Sequence, residues 1–555
     1  MNNILLATIL LPAIGALVAW LFAWQGKQAV RLVALIAAGI TLALAAHLCV
    51  EYWIDQGLKG NYAVQEFNWL GEAAKIHFAF GLDGLSVWMF GLSALLTFTA
   101  VLVSWDAVQD RPGGFYALLL LLECGMIGVF SARDIILFYI FFEFTLIPLY
   151  FLIGIWGHEE RRYAANKFFL FTFTGSVIAL LGLIGIVLWA YSASGELTFS
   201  IPQLHEVLGK YPIPMDAAHG HLQLLIFFAL VAGFAVKVPL VPLHTWLPLA
   251  HTQAPTGGSI DLAGILLKLG TYGILRFCLP MLPDATAMCM PWILWLAVIG
   301  IIYGALVSLV QVDLKKLVAY SSVSHMGFVI LGFFALNELS LQGGILQMIN
   351  HGLSSAGLFA VVGMIYERYH TRQISELGGL AKRTPLLAVF MLIFTMSSIG
   401  LPGLNGFVGE FMILLGMFQR AWVDAPGPLG PQLVLIAVLA VSGVVLGAWY
   451  MLWMVRRVFF GPLKEGHISP ADAEQIHDLR LHEILALAPL AVFIVWIGLY
   501  PKLFLKPIAP AADEIIARTE QPLENYYARR PQLAGQEMAK PQATVQTAAA
   551  KFTQN

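Results

Sequence analysis

A chain of 555 residues that is 59% hydrophobic and only 12% charged, with a formal net charge of −2, carries roughly half the charge expected of a soluble protein. No single globular core could hide that much apolar surface, which excludes a soluble domain and leaves lipid as the expected solvent.

Apolar runs recur along most of the length, each near the roughly 20 residues that cross a bilayer as helix. They fall at 4–24, 32–50, 84–105, 115–131, 134–156, 168–192, 222–250, 256–275, 291–310, 317–336, 341–366, 385–419, 431–455 and 482–500. These predict an all-α, polytopic membrane protein of about fourteen transmembrane helices. The first run has no basic flank and no small-residue cleavage site, so it is expected to stay as the first helix. With the N-terminus outside, the inner loops hold sixteen Lys and Arg residues and the outer loops six. That is the asymmetry of a bacterial inner membrane protein with both termini on the outer side.

Two stretches are too long and too interrupted for plain spans. Residues 222–250 contain Pro239, Pro242 and Pro248, and residues 385–419 contain the run SSIGLPGLNGFVGEFM. Proline removes an amide donor and clashes with the preceding turn, so each stretch is predicted to be a broken helix. Paired broken helices in the halves of a transporter point to its ion path. The spacing suggests two inverted five-helix repeats. The expected division is N-terminal helices in 1–114, a first half in 115–280, a second half in 291–457, an inner loop and last helix in 458–502, and a tail in 503–555. Residues 51–83 and 193–221 read as outer loops, and Ser469-Pro470 reads as the start of a short helix within the inner loop. The tail, rich in Ala, Gln and Pro, reads as flexible, without chemistry and without a long lateral helix.

An ionisable group at mid-span costs roughly 2.5–3.5 kcal/mol on insertion scales, so such groups mark pathways or paired sites. Glu123, Glu143, Lys237, Lys268, His325, His351 and Glu410 all fall inside predicted spans. Burial favours a neutral amine and a nearby carboxylate favours the ammonium. If Glu143 approaches Lys237 the lysine holds its proton, and if they separate it can release one. A static ion pair that fixes helix packing is the plainer account of the same two residues. Histidine, with an ordinary pKa of about 6.5, passes protons either way near neutrality, so His325 and His351 are candidate relays between Lys268 and Glu410. Packing accounts for them equally simply, as stabilising the broken helix does for Glu410. Glu123 either extends the path or accepts a hydrogen bond. Asp83, Asp134, Asp261 and Asp313 lie nearer span ends, where capping or solvation is expected. The aromatic cluster Phe138, Tyr139, Phe141, Phe142 and Phe144 reads as packing or lipid-facing surface.

The four cysteines, Cys49, Cys124, Cys278 and Cys289, show no metal-ligand spacing, and a disulfide between Cys278 and Cys289 is left open. There is no GxGxxG and no phosphate loop. No metal, cofactor or nucleic-acid partner is expected in this chain.

The stretches KVPLVPLHTWLPLAHTQAPTGGSIDLAGILLKLGTYG (237–273) and QVDLKKLVAYSSVSHMG (311–327) resemble the signatures of the proton-translocating, antiporter-like subunits of respiratory complex I, over about residues 80–460. The resemblance implies that Glu143 and Lys237 form the first-half pair, Lys268 the central link, the histidines a connecting relay and Glu410 the terminal group. Most relatives place a lysine at the position of Glu410, so the glutamate singles out one branch among the sister subunits. The resemblance further implies that NADH, FMN, iron–sulfur clusters and quinone are handled by partner subunits, and that the neighbours are other membrane subunits, homologous antiporter-like ones among them. Three readings compete with it: a component of a multisubunit cation/proton antiporter, a subunit of a membrane-bound hydrogenase, and a passive scaffold.

Overall fold

In hydrocarbon a peptide group must be satisfied within protein, so apolar runs of this length fold as helices. The computed structural model describes residues 3–54, 62–69, 75–424, 427, 429–466 and 476–552, with side chains through 526 in the last segment. Among the described residues twelve helices are long and apolar enough to cross a membrane. Two shorter apolar helices, Leu222–Lys237 and Pro385–Ser398, lie in the two interrupted stretches.

In chain order, α1 (Ile4–Leu21) and α2 (Lys27–Ile54) pack together and against α3 (Val87–Ala107) and α4 (Pro112–Ser131). Then come α5 (Ile135–Phe144), α6 (Leu146–Trp156), α7 (Arg161–Ser194), α8 (Ile201–Lys210), α9 (Leu222–Lys237) and α10 (Trp246–Gln253). The next span is one continuous run in which α11 (Thr256–Asp261), α12 (Leu267–Gly273) and α13 (Leu279–Met281) are joined by π turns at Leu262–Leu266 and Ile274–Cys278. The second part holds α14 (Pro283–Leu309), α15 (Leu314–Phe334), α16 (Glu338–Tyr369), α17 (Pro385–Ser398), α18 (Asn405–Val423) and α19 (Gly430–Phe459), followed by α20 (Leu481–Leu499) and α21 (Pro501–Phe552).

The run from Thr256 to Met281, α15 and α16 are almost wholly enclosed by protein, whereas α1, α2, α19 and α20 are not. The outward stripes of the peripheral helices are apolar, as at Leu10, Ile14 and Leu17 or Val438, Val441 and Val445, which is the surface lipid requires. The polar side chains are therefore concentrated along the central axis.

Both breaks are held by specific groups. Beyond α9 the indole Nε1 of Trp246 donates to Val236 O at 2.8 Å, satisfying a carbonyl that the interrupted helix frees. In the second break Gly400 and Gly403 take positive φ, +70° and +94°, a region that side chains disfavour. The Asn405 side chain there accepts from Ser397 Oγ at 2.5 Å and from the Gly406 amide at 2.9 Å. Asn350 Nδ2 donates to Asn405 O at 2.8 Å, tying the break to α16. Trp246→Phe keeps the ring packing but strands the Val236 carbonyl. It is expected to lower the stability of the assembled protein by about 1–3 kcal/mol, read as a lower midpoint in thermal inactivation.

Several expectations need correction. Residues 51–83 are more than loop: β1 (Tyr62–Asn68) and β2 (His77–Leu82) pair antiparallel. Residues 193–221 contain α8, an amphipathic helix that buries Ile201, Leu204 and Leu208. The expected flexible tail is instead helical as α21. Its residues Phe504, Ile508, Ala512, Ile515, Thr519 and Leu523 are buried at helical spacing. Reading composition instead of that three-to-four-residue period hid a stripe that docks back on the bundle. The Cys278–Cys289 disulfide does not form, and all four cysteines are free and buried. Ser469-Pro470 lies outside the described residues.

Candidate functional site: a buried polar file

Lys237 closes α9, and its side chain is only 3% exposed. The ammonium donates to Phe142 O at 2.9 Å and lies 3.1 Å from the centre of the Phe142 ring. Phe142 packs against Phe138 and Phe234 as its packing reading expects, and it is also a cradle, because the ring face carries negative potential that holds a cation. Glu143 is the next residue on α5. Its Oε1 is buried without a hydrogen-bond partner. Among the described residues no ion pair joins Glu143 and Lys237, and the ammonium is bonded to the Phe142 carbonyl instead. α5 ends one residue later because Pro148 has no amide to continue the ladder.

Lys268 stands between the two π turns and is fully enclosed. Its Nζ donates to Ala263 O at 2.5 Å and lies 2.6 Å from His351 Nδ1. A π turn widens the backbone and redirects side chains, and such turns recur at functional sites. The ring of His351 lies 5.7 Å, centre to centre, from that of His325, and His325 Nδ1 lies 3.2 Å from Glu410 Oε1. Glu410 also accepts from Gln347 Nε2 at 3.2 Å, and its Oε2 folds back over Gly400 of the second break. Lys268, His351, His325 and Glu410 thus form one buried file. Glu143 and Lys237 form a second cluster. The backbones of α9 and α12 meet between the two at Gly270, which is pressed against Phe234 O.

Glu123 belongs to neither group. It is completely buried on α4, and both its oxygens lack partners. The hydrogen bond proposed for it from the sequence is absent. Asp134 and Asp313 do cap helices, accepting from Ile136 and Leu137 amides and from Lys315 and Lys316 amides respectively. Asp83 pairs with Arg276 at 2.5 Å. Asp261 departs from the capping expectation: it is wholly buried with both oxygens unpartnered.

Other groups escaped the sequence reading. His244 and His251, both buried, have no partner at either ring nitrogen. His244 lies against the Tyr303 ring at 5.0 Å, and His251 stacks on Phe359 at 4.4 Å. Their seven-residue spacing, two helical turns, was a signal in the quoted motif, obscured by the prolines between them. Lys315, counted among inner-loop cations, is 2% exposed and donates to Ala254 O at 2.5 Å.

The family model described as NADH:quinone oxidoreductase/Mrp antiporter, TM, matches residues 132–425, more than half of the chain. The NADH-quinone oxidoreductase subunit M of Escherichia coli is 40% identical over 523 residues, covering 92% of this chain and 97% of that protein. The subunit M of Pseudomonas aeruginosa is 41% identical over 505 residues, covering 89% and 94%. Among solved structures, a chain of respiratory complex I from Thermus thermophilus with bound NADH superposes with a TM-score of 0.80 at 32% identity, covering 93% of this chain and 99% of that one. A chain of the Mrp complex from a Dietzia species shares the fold, with a TM-score of 0.74 at 23% identity over 93% of this chain and 98% of that one.

Proposed function

The chain belongs to the NADH:quinone oxidoreductase and Mrp antiporter family of transmembrane proteins, within its NADH-quinone oxidoreductase subunit M branch, and from that premise we propose that its buried file conducts protons. It is a membrane subunit of the complex, working beside other membrane subunits. In this reading electrons pass from NADH to quinone through FMN and iron–sulfur clusters in partner subunits, and this chain turns the released energy into proton movement.

The observation that carries the reading is a buried series in which Lys268 lies 2.6 Å from His351, the His351 and His325 rings lie 5.7 Å apart centre to centre, and His325 lies 3.2 Å from Glu410. The groups at hydrogen-bond spacing exchange protons directly, and internal water can bridge the two imidazoles, whose Nε2 atoms have no hydrogen-bond partner. Loading begins at Glu143 and Lys237. When the carboxylate closes on the ammonium, Lys237 is held charged; when they part, burial favours the neutral amine and a proton moves on toward Lys268. Glu410 ends the file at the second break, where unwound backbone can admit water. The two halves, 115–280 and 291–457, act as inverted units in this account, in a bacterial inner membrane with both termini outside.

NADH added to inverted vesicles of the native membrane in sodium-free buffer is the deciding experiment. Quinone-dependent proton uptake into the vesicles is the expected result. Uptake that required sodium and ignored NADH would replace this reading with that of a cation/proton antiporter.

A further inference from the structure

Away from the relay, the helices enclose a groove walled by apolar side chains. A cavity of about 410 Å³ lies between α2, α3, α20 and the start of α21, with Ile349 and Leu353 of the enclosed helix α16 at its inner wall. On α2 the lining residues Leu42, Ala46, Cys49, Val50 and Trp53 follow the helical period along one face. Two polar hydrogens along the groove are already engaged: Cys49 Sγ donates to Val87 O at 3.3 Å, and Trp88 Nε1 donates to Phe504 O at 3.0 Å. Water in such a groove would find few partners, so its natural occupant is apolar.

Depth and charge identify that occupant. Leu42 to Trp53 spans about 16 Å at 1.5 Å per residue, about half of a hydrocarbon core of roughly 30 Å. α3 contributes only its first turns, Trp88 to Leu95, and α20 only its last, Phe493 to Ile497. The three helices meet at that end, where the Phe504 ring lies 5.1 Å from that of Trp88 and 5.6 Å from that of Trp496. The groove is therefore one leaflet deep, which suits a lipid chain and not a partner helix that crosses both leaflets. Trp53, Trp88 and Trp496 stand at its mouth, and indoles favour the boundary between lipid and water. There the Lys506 ammonium lies 5.7 Å from the centre of the Trp53 ring. Lys502, one turn earlier on the same face of α21, is exposed as Lys506 is. Glu51, on α2 near Trp53, is already engaged by His47 at 3.2 Å and by Tyr62. Among the described residues neither lysine is in an ion pair, which leaves two uncompensated positive charges at the mouth.

We propose that this groove binds an anionic phospholipid, with one acyl chain laid along α2 and the phosphate held by Lys502 and Lys506. Each ammonium near a membrane surface strengthens the hold on an anionic headgroup about fivefold. The chain fills the space up to α16. Ile349 and Leu353 flank His351 in sequence and by the helical period face the opposite side of that helix, so hydrocarbon backs the turn that carries His351. The site does not depend on proton conduction, and its test needs no pumping measurement.

The test uses the purified, assembled complex in nanodiscs of phosphatidylcholine that contain a phosphatidylglycerol probe with a diazirine in mid-chain. After illumination, digestion and mass spectrometry locate the label. Residues 42–53, 88–95 and 493–504 should be labelled at a lower probe fraction than the exposed stripes of α1 and α19. A phosphatidylcholine probe with the same chain should label groove and stripes alike. The probe fraction for half-maximal groove labelling should rise about fivefold for each lysine removed, in Lys502→Gln and in Lys506→Gln. Both side chains are exposed, so these variants should fold. Ala46→Phe, at an exposed position on the groove wall, should block the groove and abolish its label while sparing the stripes. Groove labelling that is equal for the two probes, or unmoved by both lysine variants, would mean ordinary lipid contact and overturn the proposal. Displacement of the label by ubiquinone but not by unlabelled phosphatidylglycerol would make the groove a quinone site. A groove that stays unlabelled while the stripes react would place a neighbouring subunit there, and either result overturns the proposal.

Discussion

Lys237→Ala is expected to lower NADH-driven proton uptake in inverted vesicles by on the order of 10²-fold, the scale of a lost acid–base group, while the complex still assembles. Electron transfer should fall with it, because a coupled machine cannot turn over when its proton step is blocked. The ammonium sits at 2.9 Å from Phe142 O and over the Phe142 ring, so truncation removes one donor to that carbonyl, which still accepts from Thr145 Oγ1 at 2.9 Å, and takes the nearby positive charge away from Glu143. Losing one of two hydrogen bonds to that carbonyl costs about 0.5–1.5 kcal/mol, which a bundle of this size can absorb. Uptake per assembled complex, with assembly quantified separately, is the measurement. Normal pumping in the variant would make Lys237 a packing residue and remove the loading step from the mechanism.

Lys268→Arg separates charge from proton exchange. A guanidinium keeps the positive charge but does not deprotonate in proteins. If Lys268 merely neutralises its surroundings, arginine should support pumping. If it hands a proton to His351, 2.6 Å away, uptake is expected to fall on the order of 10²-fold, as for a lost acid–base group. The site is fully enclosed and Gly264 lies hard against Leu96 one turn away. The larger side chain therefore has to displace neighbours, and Lys268→Met, which is similar in length and uncharged, is the matching control. Both variants should assemble and both should fail to pump. Pumping by the arginine form alone would favour a fixed charge.

The features legible in the sequence were those that a single segment fixes by its own chemistry. Apolar runs of span length had to become helices, because lipid offers no other partner for the backbone. The prolines at 239 and 242 and the glycines at 400 and 403 had to interrupt them, and α9 and α17 stop where those residues begin, whereas Pro248 sits in the first turn of α10, where its missing amide is not needed. The seven ionisable residues singled out could be named because charge at mid-span is costly anywhere in a membrane.

What each of those residues touches was decided only by packing. His351 and Lys268 are 83 positions apart in the chain, and His325 and Glu410 are 85 apart, separations that no local pattern encodes. Asp261 looked like a helix-end residue until neighbouring helices closed over it, and Lys315 looked like a loop cation until its ammonium reached Ala254 O. The π turns on either side of Lys268 contain no proline to announce them, since they arise where one helix accommodates its neighbours. The tail, judged by composition, became a helix because a stripe from Phe504 to Leu523 found apolar surface to cover. Sequence determines which groups must be buried or paired; tertiary structure chooses the partner, because that choice depends on surfaces contributed by helices far apart in the chain.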